Sequence, residues 1–75
     1  MITKQQINMI DYLVICVNDF ADRFGMNNKS AFRFLSKYGG IEFLTNHYEI
    51  EHTLSLDDAI DDLEKICRDN GGVIV

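Results

Sequence analysis

Apolar residues recur at spacings of three and four over residues 4–24, and this period predicts a long amphipathic helix. Its apolar stripe consists of Ile7, Ile10, Leu13, Val14, Val17, Phe20, Ala21 and Phe24. Thr3 is the predicted N-cap, and Gly25 is the predicted residue that ends the helix. Ile15 falls outside the stripe, on the polar face. We expect Ile15 to be exposed and, if it has a function, to contact another chain.

Two shorter helical patterns follow. Residues 29–38 carry an apolar stripe, with Asn27 or Asn28 as the N-cap and Gly39-Gly40 as the terminator. The stripe consists of Ala31, Phe34, Leu35 and Tyr38. Residues 41–47 form a third, short helix. Arg33 and Lys37 make a basic pair that points away from the core.

Residues 48–54, YEIEHTL, alternate between two sets of side chains, and this period of two predicts a half-buried extended segment. One set, predicted to face the core, is Tyr48, Ile50, His52 and Leu54. The other set is Glu49, Glu51 and Thr53. An extended backbone needs hydrogen-bond partners. The predicted partner is the tail at residues 73–75, a strand of another chain, or water.

The last helix begins after Ser55, whose hydroxyl is placed to cap it by accepting from the backbone N–H of Asp58. Four aspartates occupy its first two turns: Asp57, Asp58, Asp61 and Asp62. Two like-charged pairs at a spacing of four cost about 0.2–0.5 kcal/mol each. The sequence retains these repulsive pairs. We interpret them as part of an anionic surface that binds a basic partner. Carboxylates on a regular helix diverge, so no metal site is predicted.

Together these elements predict one small domain over residues 1–75. Its fold class is mainly α, a small bundle of about four helices with one extended segment at residues 48–54. Cys16 and Cys67 lie far apart without a CxxC motif, so we expect two small buried hydrophobic residues rather than a redox or zinc site.

Charge is unevenly distributed along the chain, whose net charge is −5. Residues 1–41 hold five cations and three acids, whereas residues 42–75 hold nine acids and two cations. An acidic C-terminal half repels phosphate and attracts basic partners. No apolar run is long enough to span a bilayer and the N-terminus lacks a secretory pattern, so a cytoplasmic location is predicted.

No catalytic constellation is visible, and neither an enzyme nor a bound cofactor is expected. The chain lacks a Gly-rich phosphate loop, GxSxG and HExxH. Partner binding is instead predicted for Glu49, Glu51, Asp58, Asp61, Asp62 and Ile15. A structural role, fixing the extended segment and capping the last helix, is predicted for Tyr48, His52, Thr53 and Ser55.

Two alternatives remain open. Residues 23–38 have a helix–Gly turn–helix pattern, so a nucleic-acid-binding regulator could use Arg33 and Lys37. Such a reader needs more cations than this anionic chain offers. A homo-oligomer could place Ile15 or the extended segment at its interface.

The residues also resemble a family of short bacterial proteins catalogued as a domain of unknown function. The shared pattern is an aromatic-Glu-x-x-His-Thr-x-Ser segment followed by an acidic helix, and the resemblance spans roughly residues 7–72. Its matching positions are Tyr38, Gly39, Gly40, Tyr48, Glu49, His52, Thr53, Ser55, Asp58 and Leu63. Members are often encoded next to ADP-ribosyltransferase-like proteins. The resemblance thus implies a protein-interaction module, such as an antitoxin-like partner of that effector.

Overall fold

The computed structural model describes residues 8–74, and this part of the chain folds into five α-helices without a β-strand. The helices are α1 (Met9–Phe24), α2 (Asn28–Lys37), α3 (Gly40–Asn46), α4 (Tyr48–Glu51) and α5 (Leu56–Asp69). Helix α1 packs against α2, α3 and α5, and α3 also contacts α2, α4 and α5. The predicted mainly α bundle is confirmed.

Helix α1 begins later than the apolar period suggests. Asn8 is its N-cap, and the side chain of Asn8 accepts a hydrogen bond from the backbone N–H of Asp11 at 2.9 Å. The predicted cap, Thr3, lies outside the described residues. At the other end Gly25 has a left-handed backbone (φ 67°), as predicted for the residue that ends this helix.

The buried side of α1 differs from the predicted stripe. Tyr12 and Cys16 are buried, whereas Ile10 and Val14 are exposed. The helix is therefore rotated toward α4 and α5, and the ring of Tyr12 meets Tyr48 edge-on with 5.5 Å between centroids. The spacing of apolar residues alone does not predict this rotation, because the apolar residues of α1 extend around more than half of its circumference.

Helices α2 and α3 are separated by the predicted glycines. Asn27 caps α2 by accepting a hydrogen bond from the backbone N–H of Ser30 at 2.8 Å. Gly39 adopts φ 82°, which favours glycine, and it lets the chain turn directly into α3. The side chain of Asn70 donates to the backbone carbonyl of Tyr38 at 2.7 Å, so the ends of α2 and α5 are joined.

The extended segment predicted at residues 48–54 is wrong, since this stretch is the single-turn helix α4 followed by a hydrogen-bonded turn. Its backbone groups are satisfied locally. The N–H of Glu51 donates to the carbonyl of His47 at 2.9 Å, and the N–H of Leu54 donates to the carbonyl of Glu51 at 3.1 Å. No strand partner is needed, and the tail does not form one among the described residues.

The helical register also reverses which side chains of this stretch are inside. Glu51, predicted to be outside, is buried, while Ile50 and Leu54, predicted to be inside, are exposed. A period of two over seven residues is a short pattern. Here the local hydrogen bonds of a helical turn outweigh it.

Ser55 caps α5 as predicted, because its hydroxyl accepts from the backbone N–H of Asp58 at 3.1 Å. The apolar side of α5 closes the core against α1 and α3. The largest fully buried side chains are Phe20, Leu35, Leu44, Ile60, Leu63, Cys16 and Cys67. Cys16 and Cys67 are thus buried free thiols, as predicted.

Candidate functional site

An open groove between α1 and α2 exposes contiguous apolar side chains. The groove has a volume of about 480 Å³, and Asn18, Asn28 and Lys29 form its polar rim. We call its apolar lining the apolar face, which consists of Ile10, Leu13, Val14, Val17 and Phe32.

Three members of the apolar face are more than half exposed, namely Ile10 (71%), Val14 (53%) and Phe32 (52%). Ile10 and Val14 face solvent because α1 is rotated to bury Tyr12 and Cys16 instead. Adjacent exposed apolar side chains around a groove are unlike isolated surface hydrophobes, and such patches mark interaction sites. Sequence reasoning missed this face because it assigned Ile10 and Val14 to the core, where only the neighbouring Val17 is buried.

The aspartates of α5 differ in their ion pairs and in their exposure. Asp61 accepts a hydrogen bond from the guanidinium of Arg23 on α1, and the same group approaches the carboxylate of Asp57 at 3.4 Å. Arg23 therefore offsets part of the crowding of negative charge. Asp57, Asp58 and Asp61 remain exposed, and we call these three residues the acidic face.

The predicted partner-binding residues do not form one surface. Asp58 and Asp61 belong to the acidic face, and Glu49 is exposed on α4. Ile15 is on the outer side of α1, where it is 40% exposed. Glu51 and Asp62 turn inward to differing degrees, since Asp62 is half-buried and Glu51 is only 4% exposed. Glu51 cannot contribute to a surface without a rearrangement.

Glu51 lies at the junction of α1, α4 and α5, where its Oε1 atom has no hydrogen-bond partner among the described residues. Burial, together with a hydrogen bond and the negative charge of Asp62, raises the pKa of Glu51 from its ordinary value to about 7. Near neutral pH, Glu51 therefore holds a proton in a larger fraction of molecules than an ordinary glutamate does.

The side chains of Tyr12 and Cys16 on α1 lie beside Glu51 and Asp62, and we call these four residues the buried polar cluster. The Tyr12 hydroxyl is buried without a hydrogen-bond partner in the described part of the chain. Burial raises the pKa of Tyr12, and the neighbouring Cys16 and Glu51 raise it further. Burial likewise raises the pKa of the Cys16 thiol to about 11. At neutral pH both groups hold their protons, so neither is a ready nucleophile.

The residues predicted to fix the segment before α5 make mainly local contacts. The Nδ1 atom of His52 is 2.7 Å from the carbonyl oxygen of Tyr48, and their rings stack with centroids 4.6 Å apart. The Thr53 hydroxyl donates to the carbonyl of Ile50 at 2.6 Å. With the Ser55 cap, these contacts join α4 to α5 and hold the turn between them.

A second, smaller cleft of about 380 Å³ lies where α3 meets α4. Its lining is Met9, Thr45, Asn46, His47, Tyr48, Glu49 and Ile50. His47 is its one imidazole, and that ring packs against Phe43 with 4.9 Å between centroids. Across residues 8–74, no group of three or more His, Cys, Asp or Glu side chains could hold a metal ion. No helix in this part of the chain is long and apolar enough to cross a membrane.

Comparison with known proteins gives one match. The model of a family described as "Protein of unknown function (DUF3791)" matches residues 11–70, which includes the described helices almost completely. No curated protein and no solved structure matches the chain.

Proposed function

We propose, on the premise that this chain belongs to the DUF3791 family of proteins of unknown function, that it is a protein-interaction module and not an enzyme. The observation that carries this proposal is the apolar face of α1 and α2. A chain of 75 residues has little apolar surface to spare, and leaving three large side chains more than half exposed costs stability. Burying them against a protein recovers that free energy.

The acidic face offers a second, separate contact surface. Arg23 joins α1 to α5 on the flank of α1 that carries Cys16, whereas the groove with α2 lies on the flank that carries Val14 and Val17. The acidic face therefore lies away from the apolar face. Exposed carboxylates on a rigid helix favour a partner with a basic surface, and their attraction acts mainly on the rate of association.

The resemblance to short bacterial proteins of unknown function suggests which protein this basic partner is. It is the ADP-ribosyltransferase-like protein encoded beside members of the family, which this module would bind in the cytoplasm of a bacterium as an antitoxin does. The acidic face together with Glu49 supports this role. Glu51 and Asp62 are left out of the proposed contact because they belong to the buried polar cluster.

The nucleic-acid alternative relies on α2, where Lys29, Arg33 and Lys37 follow one another at a spacing of four. Three cations neutralise few phosphates, and the chain's net charge of −5 opposes the approach of a polyanion. We therefore prefer a protein partner.

Co-purification with the neighbouring effector tests this function. The wild-type chain should retain the effector, and the double variant Glu49→Lys and Asp58→Lys should weaken binding about tenfold, because two attractive charges become repulsive. Glu42→Lys, which reverses an exposed acid on α3, is the matched control. No retention of the effector by the wild-type chain would rule out the proposed partner. Equal binding by the double variant would rule out the acidic face.

A further inference from the structure

We propose that the apolar face is the interface of a symmetric homodimer, in which the two-fold axis runs along the groove between α1 and α2. Helix α1 of one protomer then lies over α2 of its partner. The inference deepens the proposed function by naming a second copy of this chain as the occupant of the apolar face. It leaves the acidic face available for the effector.

The apolar face has the shape that a two-fold interface needs. The apolar face contains residues from both helices, and the groove between them can accept the side chains of a facing helix. Val14 lies on the α1 side of the groove and Phe32 on the α2 side, so each protomer offers both kinds of contact residue. A self-complementary patch is what a two-fold interface requires.

The outer side of α1 carries negative charge. Asp11, Ile15 and Asp22 are spaced by four and seven residues, which places them on one side of the helix. That side is turned away from α2, because Val17, which lines the groove with Phe32 of α2, lies about a third of a turn or more away. Asp22 is exposed, and Asp11 is half-buried. The α1 edge of the apolar face is therefore acidic, with Ile15 extending the apolar surface into it.

The outer side of α2 carries the opposite charge. Lys29 and Arg33 are exposed and lie one turn apart, while Ala31 and Leu35 occupy the buried side of the same helix. Neither cation forms an ion pair within residues 8–74. The apolar face thus has an acidic edge on α1 and an unpaired basic edge on α2.

The two edges decide the direction of the two-fold axis. If the axis runs along the groove, the acidic edge of each protomer meets the basic edge of its partner, and this attraction occurs twice. Lys29 at the start of α2 lines the groove together with Val17 and Asn18 of α1, so it lies at the margin that would meet the partner's acidic edge. An axis across the groove would oppose acid to acid and base to base, which is unfavourable.

The expected affinity is modest. A stable interface buries about 800 Å² per partner. Helix α1 is roughly 24 Å long and α2 is shorter, so the surface that they provide together is small for a stable interface. We therefore expect a reversible dimer that dissociates in the micromolar range. The gain comes from covering Ile10, Val14 and Phe32, and the two charged edges select the orientation.

Sedimentation equilibrium at micromolar to millimolar concentrations tests the interface. The wild-type chain should change from monomer to dimer, and the double variant Val14→Glu and Phe32→Glu should stay monomeric with unchanged helical circular dichroism. Ile50→Glu is the matched control, since Ile50 is also more than half exposed (66%) but lies outside the apolar face. A wild-type monomer at millimolar concentration would overturn the proposal, as would a dimer that survives the double variant.

Charge reversal tests the orientation. Asp11→Lys with Asp22→Lys makes both edges basic, and Lys29→Glu with Arg33→Glu makes both acidic. Each variant alone should dimerise at least tenfold more weakly than the wild type, and an equimolar mixture should recover dimerisation as a heterodimer. If neither variant dimerises more weakly, or if the mixture does not recover, the axis along the groove is wrong.

The outcomes separate this inference from the proposed function. A monomeric wild-type chain whose effector binding is lost in the Val14 and Phe32 double variant would refute the homodimer and keep the interaction module. A chain that neither dimerises nor retains the effector would refute both.

Discussion

Glu51 shows at the scale of a single residue how burial changes the meaning of a carboxyl group. Glu49 and Glu51 are two positions apart and look alike in the sequence, but only Glu51 is enclosed, beside Asp62 and Tyr12. The sequence predicted partner binding for both. Their difference arises because residues 48–51 are helical, which turns Glu51 toward the core with Tyr48 and leaves Glu49 in solvent.

The raised pKa of Glu51 makes folding stability depend on pH. In the unfolded chain Glu51 titrates near 4.5, whereas in the folded protein its pKa is about 7. Between these values the folded state binds more protons than the unfolded state, so stability falls as pH rises through this window. The loss is on the order of 3 kcal/mol, from roughly 1.4 kcal/mol per pKa unit.

Urea unfolding from pH 4 to pH 8 measures this effect. Glu51→Gln keeps the shape of the side chain and removes its titration, so the decline between pH 4.5 and about 7 should flatten, and the variant should be the more stable protein at pH 8. Glu49→Gln should retain the wild-type decline. A wild-type profile in the Glu51→Gln variant would contradict the burial of an ionisable Glu51.

At the scale of the helical elements, the sequence predicted α2, α3 and α5 because their signals agree. Asn27 and Ser55 are caps, Gly39 is a terminator, and each signal coincides with the end of an apolar stripe. The signals at residues 48–54 disagree. An alternating pattern of seven residues favours a strand, but the contact of His52 with the carbonyl of Tyr48 and the Thr53 hydroxyl favour a closed turn.

The rotation of α1 could not be predicted from the sequence for a different reason. Its apolar residues include Ile10 and Val14 on one side and Tyr12 and Cys16 on another, so several faces could be buried. The choice is made by packing, because Tyr12 contacts α4 and Arg23 contacts α5. The exposed remainder is the apolar face, which is why the candidate site was missed while the fold class was correct.

The cap of α5 gives a prediction at this scale. Ser55→Ala should lower the free energy of unfolding by about 1 kcal/mol, because the backbone N–H of Asp58 loses its acceptor at the start of the helix. Ser36→Ala, on the exposed side of α2, should have little effect or stabilise slightly, since alanine favours helix interiors. Thermal unfolding of both variants measures the difference. Equal melting temperatures would show that Ser55 does not cap α5.

At the scale of the whole molecule, charge is separated in space as well as along the chain. The acidic face lies on α5, the basic edge lies on α2, and α1 lies between them with Arg23 toward the acids. The sequence revealed this asymmetry through residue counts alone. The apolar face could be identified only from the structure, because it depends on how α1 and α2 pack.

In the proposed homodimer, a second copy of this chain covers the apolar face. The most direct measurement is an isotope-filtered nuclear Overhauser experiment on an equimolar mixture of labelled and unlabelled chains at millimolar concentration. We predict contacts from the Val14 methyl groups of one protomer to the Phe32 ring of its partner. Intermolecular contacts confined to other surfaces, or none at a concentration where the wild-type chain is dimeric, would contradict the claim.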